Sequence, residues 1–122
     1  MDEVLDSYAR AWNEPDGDER RRLLETALTA DAELAEPRGR FQGREAIVER
    51  ISGFHERFPG ARVETTTGVD EHNGLARYGW TIFGGDGQTM LEGIDVCQRA
   101  EDGRLRLVAM FFGPLPPQEA KH

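Results

Sequence analysis

Residues 73–112, NGLARYGWTIFGGDGQTMLEGIDVCQRAEDGRLRLVAMFF, determine the fold of this chain. Three dipeptides typical of tight turns between antiparallel strands divide it: Asn73-Gly74, Asp86-Gly87 and Asp102-Gly103. The segments between these turns are rich in aromatic, aliphatic and β-branched residues, as strands are. Including the segment before the first turn, the predicted strands are about 62–71, 75–84, 88–99 and 104–112. This pattern predicts a four-stranded antiparallel meander.

The first half of the chain has the periodicity of helices instead. Apolar residues recur at helical spacing after Asp2, after Asp16 and after Gly43, which predicts three helices. A short extended piece, Ala32 to Glu36, precedes Pro37, because proline disfavours helix at the residue before it. We therefore predict an α+β fold, with three N-terminal helices packed on a curved four-stranded meander plus one short strand.

Length, composition and charge bound the function. The 122 residues are 38% hydrophobic, enough for one domain, which we place at residues 1–113 with a tail at 114–122. The net charge of −8 argues against partners such as nucleic acid or anionic membranes. No apolar run approaches the ~20 residues of a membrane span, and the acidic start is unlike a signal peptide. The single cysteine, Cys97, fits a reducing cytoplasm and is expected to be a buried thiol.

Both faces of the last predicted strand are apolar. Val108, Met110 and Phe112 share one face, and Leu105, Leu107, Ala109 and Phe111 share the other. Three helices can cover only one face of the sheet. A homodimer that packs sheet against sheet is therefore expected.

Asp95 is the first candidate for a functional residue. Strand alternation puts its carboxyl on the same face as Leu91, Gly93 and Cys97, which are all less polar. A carboxylate there must find a partner, keep its proton or face a water-filled cavity. The alternative is a structural role, in which Asp95 is bonded to a backbone amide or to Tyr8.

Five short motifs occur in an order that resembles a known family. They are Tyr8-Ala9-Arg10-Ala11-Trp12-Asn13, Ala35-Glu36-Pro37, Gly43-Arg44-Glu45-Ala46-Ile47, Asp102-Gly103-Arg104-Leu105 and Phe111-Phe112-Gly113. Together they cover about residues 4–114 and resemble the SnoaL-like branch of the nuclear-transport-factor-2-like superfamily. That resemblance implies a cystatin-like α+β cone with a pocket inside it.

Within that superfamily, ketosteroid isomerases use a first-helix tyrosine, an acidic residue before a proline and a strand aspartate. Tyr8, Glu36 and Asp95 occupy similar positions in this chain. The resemblance implies Glu36 as a general base, with Tyr8 and a protonated Asp95 donating to a substrate carbonyl oxygen and no cofactor. Glu36 could instead be a solvated turn residue paired with Arg38. The expected pocket walls are Trp12, Tyr78, Trp80, Ile82, Val108, Met110 and Phe112.

The favoured function is the binding of a small hydrophobic carbonyl compound, with acid–base isomerisation or cyclisation as a further step. Two alternatives remain, a non-catalytic ligand-binding or assembly module and a structural dimer with a closed cavity. An epoxide hydrolase would need an arginine beside two carboxylates, but Arg77 alternates with Tyr78 and should face away from it. His55 and His72 lack metal-ligand spacing, so no metal site is expected.

Overall fold

The computed structural model describes residues 1–119 and consists of three helices and a seven-stranded sheet. The elements are α1 (Glu3–Ala11), α2 (Gly17–Ala27), β1 (Leu28–Glu36), β2 (Gly39–Gln42), α3 (Arg44–Arg57), β3 (Arg62–Thr65), β4 (Asp70–His72), β5 (Leu75–Phe83), β6 (Thr89–Arg99) and β7 (Leu105–Phe112). The strand order is β2-β1-β7-β6-β5-β3, and β4 also pairs with β5. The α+β prediction is confirmed. The last part of the predicted tail, residues 120–122, lies outside the described residues.

The predicted meander is present, although its first strand is divided. Asn73 and Gly74 have φ angles of 50° and 77°, the left-handed conformation required by a tight hairpin turn from β4 to β5. The predicted strand at about 62–71 is in fact β3 and β4. Between them the Thr67 hydroxyl accepts the hydrogen bond of the Gly79 N–H at 2.8 Å, so the backbone leaves the ladder there.

The short extended piece is longer than predicted. β1 begins at Leu28, forms an antiparallel hairpin with β2 and runs parallel to β7. Alternate residues Ala32, Leu34 and Glu36 are buried, which is the pattern of a strand with one face on the core. This pairing brings Glu36 beside the end of β7, although the two are far apart in sequence.

The helices cover the inner face of the sheet, and the end of α1 is held firmly against its neighbours. The Nε2 atom of His55 in α3 lies 2.5 Å from the Trp12 carbonyl oxygen. Asn13 exchanges two hydrogen bonds of 2.7 Å with the backbone of Val63 in β3. These contacts fix the position of Trp12 between α1 and the sheet. None of the helices within residues 1–119 is long and apolar enough to cross a membrane.

The outer face of the sheet is apolar and open in the single chain. Phe111 is 56% exposed and Ile94 is 39% exposed. The prediction that Leu105 shares this face is wrong, because Leu105 is fully buried against the core. The β6–β7 register shifts so that Gln98 pairs with Leu107 and Arg99 with Leu105, which turns Leu105 inward.

Candidate functional site

A narrow cavity lies between α1 and the inner face of the sheet. The volume of the cavity itself is only about 30 Å³. The wider space that includes its open mouth is about 390 Å³. The lining residues are Tyr8, Ala9, Trp12, Val63, Thr65, Tyr78, Trp80, Ile82, Asp95 and Met110. The structure thus brings Tyr8 and Asp95 together with five of the predicted wall residues. As it stands, the cavity has room for a water molecule or two.

Asp95 is buried in the wall of this cavity. It faces Tyr78 across β5–β6 and Met110 across β6–β7, so the three side chains form a row on the inner face. Its Oδ1 accepts a hydrogen bond from the Trp80 Nε1–H at 2.8 Å. Burial raises the pKa of Asp95 from 3.8 to about 7, although Tyr78 and Trp80 both act to lower it. A substantial fraction of Asp95 therefore carries a proton near neutral pH.

Gly93 allows Trp80 to reach Asp95. The two residues face each other across β5–β6, and the Trp80 ring lies directly over the glycine. A Cβ atom at Gly93 would lie only 2.7 Å from Cη2 of that ring. The Phe112 ring packs against the Trp80 ring in a T-shaped arrangement, with ring centroids 5.8 Å apart. Position 93 must therefore be glycine for the Trp80 ring to lie over it and reach Asp95.

The hydroxyls of Tyr8 and Tyr78 are buried. Tyr78 lies close enough to Asp95, and Tyr8 close enough to Trp12, for hydrogen bonds to influence their pKa values, but neither hydroxyl makes a bond of regular geometry among residues 1–119. Burial raises the pKa of both phenols well above the usual value, and the nearby Asp95 carboxylate raises them further. Both tyrosines therefore stay protonated and can donate. Buried hydroxyls are nearly always bonded, so this pair can bond a water molecule or a ligand oxygen in the cavity.

Glu36 does not line this cavity. Its side chain is fully buried and pairs with Arg50 of α3, with Nη2 and Oε2 3.3 Å apart, so the solvated pairing with Arg38 is wrong. Its Oε1 has no partner within the described residues. Glu36 lines a neighbouring groove with Pro37 and the end of β7.

Arg50 was not predicted as a functional residue, although the sequence carries a signal for it. It lies three residues after Ile47 and four before Phe54, both of which are buried residues of α3. A charged residue on the buried stripe of a helix needs a partner. Its side chain also lies 5.8 Å over the ring of Phe41.

Two predicted wall residues have other positions. Val108 is fully buried in the core and is not part of the cavity lining. Phe112 is also outside the lining and packs against the Trp80 ring. Cys97 is fully buried, as expected, and burial raises the pKa of its thiol, which removes it as a nucleophile. Arg77 pairs with exposed Asp70 at 2.9 Å and is itself exposed, away from the cavity, as predicted.

Comparison with known proteins identifies the family. Residues 4–108 match the family described as SnoaL-like domain. A candidate isomerase of the SnoaL-like family from Agrobacterium tumefaciens str. C58 is 28% identical, with a TM-score of 0.85 over 93% of this chain and 100% of that one. No curated protein matches the sequence.

Two further structures share the fold. A candidate SnoaL-like polyketide cyclase from Jannaschia sp. CCS1 is 16% identical, with a TM-score of 0.70 over 90% of this chain and 85% of that one. A protein with a cystatin-like fold from Methylobium petroleophilum PM1 is 20% identical, with a TM-score of 0.74 over 97% of this chain and 79% of that one. The predicted cystatin-like cone is therefore confirmed.

Proposed function

Since this chain belongs to the family of SnoaL-like domains, we propose that it binds a small hydrophobic molecule through a carbonyl or phenolic oxygen. The site is the cavity between α1 and the sheet. One observation carries the proposal: Tyr8, Tyr78 and Asp95 converge on an otherwise apolar cavity, and neither tyrosine hydroxyl makes a hydrogen bond of regular geometry among residues 1–119. A ligand oxygen would supply the missing acceptor.

The proton on Asp95 adds a third donor to this site. Near pH 7 the carboxyl is partly neutral, so its O–H can donate to the same ligand oxygen as Tyr8 and Tyr78. Donors fixed around one oxygen stabilise negative charge that develops on it, as in an enolate. The site is therefore suited to polarising a carbonyl group.

The cavity walls indicate the shape of the ligand. Trp12, Tyr78 and Trp80 present aromatic surfaces, and Met110 presents a flexible thioether. Aromatic walls favour a flat apolar molecule. Because the free space is small, such a molecule must displace a side chain, and methionine adapts most readily.

A second function, acid–base isomerisation or cyclisation without a cofactor, also requires a base. Glu36 is the candidate, because its carboxylate is fully buried and its Oε1 has no partner within the described residues. The relatives described as a candidate isomerase and a candidate polyketide cyclase give this function some support. Glu36 lies outside the cavity lining. More observations therefore support ligand binding than support catalysis.

Removal of the donors should weaken binding of phenol, measured by calorimetric titration. We expect Asp95→Ala to lower the affinity at least ~10-fold and Tyr8→Phe about 3- to 10-fold, because each loses a hydrogen bond in a desolvated site. Ser7→Ala is the matched control, since Ser7 is the buried neighbour of Tyr8 but is not part of the cavity lining. It should leave the affinity unchanged.

The same variants separate the alternatives. If the affinity for phenol is the same in the wild type, Asp95→Ala and Tyr8→Phe, the donor site is refuted and the cavity is a purely apolar pocket. An absence of binding to the wild type would favour a structural role. If the wild type isomerises an enone, Glu36→Gln should abolish turnover and leave phenol affinity intact, whereas a non-catalytic module shows no turnover in any variant.

We further propose that a second copy of the chain covers the outer face of the sheet, in the cytoplasm. Exposed Phe111 and Ile94 support the dimer, and the lone buried cysteine fits a reducing compartment. Phe111→Asp should halve the mass found by sedimentation, because it places a charge in the middle of the interface. The exposed residue Arg106 of the same strand offers a control, Arg106→Asp. A monomeric wild type would contradict the dimer.

A further inference from the structure

Met110 lies on the strand between the strands that carry Asp95 and Glu36. Asp95 pairs with Met110 across β6–β7, and Ala35 pairs with Ala109 across β1–β7. One residue beyond that last pair, Glu36 adjoins Met110 on the inner face. The backbones of Glu36 and Asp95 are therefore two strand spacings apart, roughly 10 Å.

Met110 also borders two hollows. One is the inner cavity at Asp95, and the other is a groove at the end of β1 and β7, whose lining includes the outer-face residues Ala35, Ala109 and Phe111 as well as Glu36. Among the described residues, Met110 is the only one that lines both. Its side chain is half-buried, so it is neither packed in the core on all sides nor fully exposed to solvent.

We propose that Met110 determines which ligands this protein accepts, because its side chain fills the space on the inner face between the strands that carry Asp95 and Glu36. The inference rests on the proposed function. A single-ring ligand uses the Asp95 end alone. A flat ligand with two fused rings occupies the whole length once the thioether swings aside.

The polar groups at the two ends define the chemistry of the longer ligand. At one end Tyr8, Tyr78 and Asp95 donate to an oxygen. At the other end Glu36 keeps one oxygen without a partner among residues 1–119, beside the cation of Arg50. The ligand class is therefore a flat bicyclic molecule with a carbonyl or phenolic oxygen at one end. A hydrogen-bond donor or an acidic C–H group at its far end would reach Glu36.

The methionine side chain suits such a role. It has three rotatable bonds and no branch at Cβ, so it can change rotamer at little cost. The strand partners of Met110 keep its backbone in place while the side chain moves, because Asp95 and the end of β1 flank it in the ladder. A β-branched or aromatic residue at this position would be too rigid to move aside.

The test compares 2-naphthol with phenol in calorimetric titrations of the wild type, Met110→Ala and Met110→Leu. Met110→Ala should raise the affinity for 2-naphthol at least ~10-fold and that for phenol less than ~3-fold. Met110→Leu keeps the volume and should resemble the wild type with both probes. An unchanged ratio of the two affinities in Met110→Ala would overturn the inference.

A crystal structure of the wild type with 2-naphthol gives an independent answer, even if Met110→Ala fails to fold. The naphthol oxygen should lie at Asp95, with its second ring in the space that Met110 now fills. A second ring directed past Val63 toward solvent would overturn the inference. Phenol binding that depends on Asp95 would then still support the proposed function, whereas an absence of phenol binding to the wild type would refute both.

Discussion

Gly93→Ala is expected to lower the free energy of unfolding by roughly 3 kcal/mol, the sum of overpacking and a lost buried hydrogen bond. The added Cβ would lie 2.7 Å from Cη2 of the Trp80 ring, and it would be closer still to Cζ2 of that ring and to the backbone carbonyl oxygen of Phe111. The carbonyl is part of the sheet and cannot move aside. Trp80 must therefore rotate away from Asp95, which ends the 2.8 Å bond between Nε1 and Oδ1.

Urea unfolding followed by tryptophan fluorescence measures this change. Gly53→Ala is the control, since Gly53 lies on an exposed face of α3 with open space around its position. That substitution should raise stability by about 0.5–1 kcal/mol, because alanine favours helix over glycine. Equal effects at the two positions would mean that Trp80 is not held over Gly93. The Gly93 variant should also lose phenol affinity, since Asp95 loses the bond that orients it.

The stability of the wild type is expected to fall by roughly 2 to 3 kcal/mol between pH 5 and pH 8 because of Asp95 alone. In the folded protein, burial raises the pKa of this carboxyl from 3.8 to about 7. The folded state therefore binds more protons than the unfolded state in this range. The stabilisation is complete below pH 4 and is lost as the pH rises through 7.

Asp95→Asn isolates this contribution from the other titrating groups. Its amide oxygen can still accept the bond from Trp80, but the residue stays neutral at every pH. The difference in unfolding free energy between wild type and variant should therefore change by roughly 2 to 3 kcal/mol from pH 5 to pH 8. Parallel stability profiles would show that folding does not raise the pKa of Asp95.

Local signals in the sequence predicted most of the fold. Asn73, Gly74 and Gly103 have the positive φ angles that tight turns require and that few residues other than glycine and asparagine adopt, so the dipeptides Asn73-Gly74 and Asp102-Gly103 locate the hairpins by themselves. The division of the strand at 62–71 depends on the bond from Gly79 N–H to Thr67, which no local pattern encodes. Leu105 was assigned to the wrong face for a similar reason, since a register shift reverses the alternation on which the assignment relied.

The candidate site was predicted in part. Asp95 could be recognised because its burial follows from strand alternation alone, and its raised pKa follows from that burial. The partner of Glu36 could not be chosen in the same way. Arg38 and Arg40 are nearer in sequence, but the Glu36 side chain points inward from β1 toward α3 and meets Arg50.

The sequence by itself determined the helices, the hairpins and most of the residues that face the interior. These properties depend on backbone preferences and on periodicity within one element, so each can be read from a few neighbouring residues. Only the tertiary structure decided that Tyr8 and Asp95 share one narrow cavity while Glu36 lies beyond Met110. That arrangement depends on the parallel pairing of β1 with β7 and on the docking of α1, contacts between residues far apart in the chain.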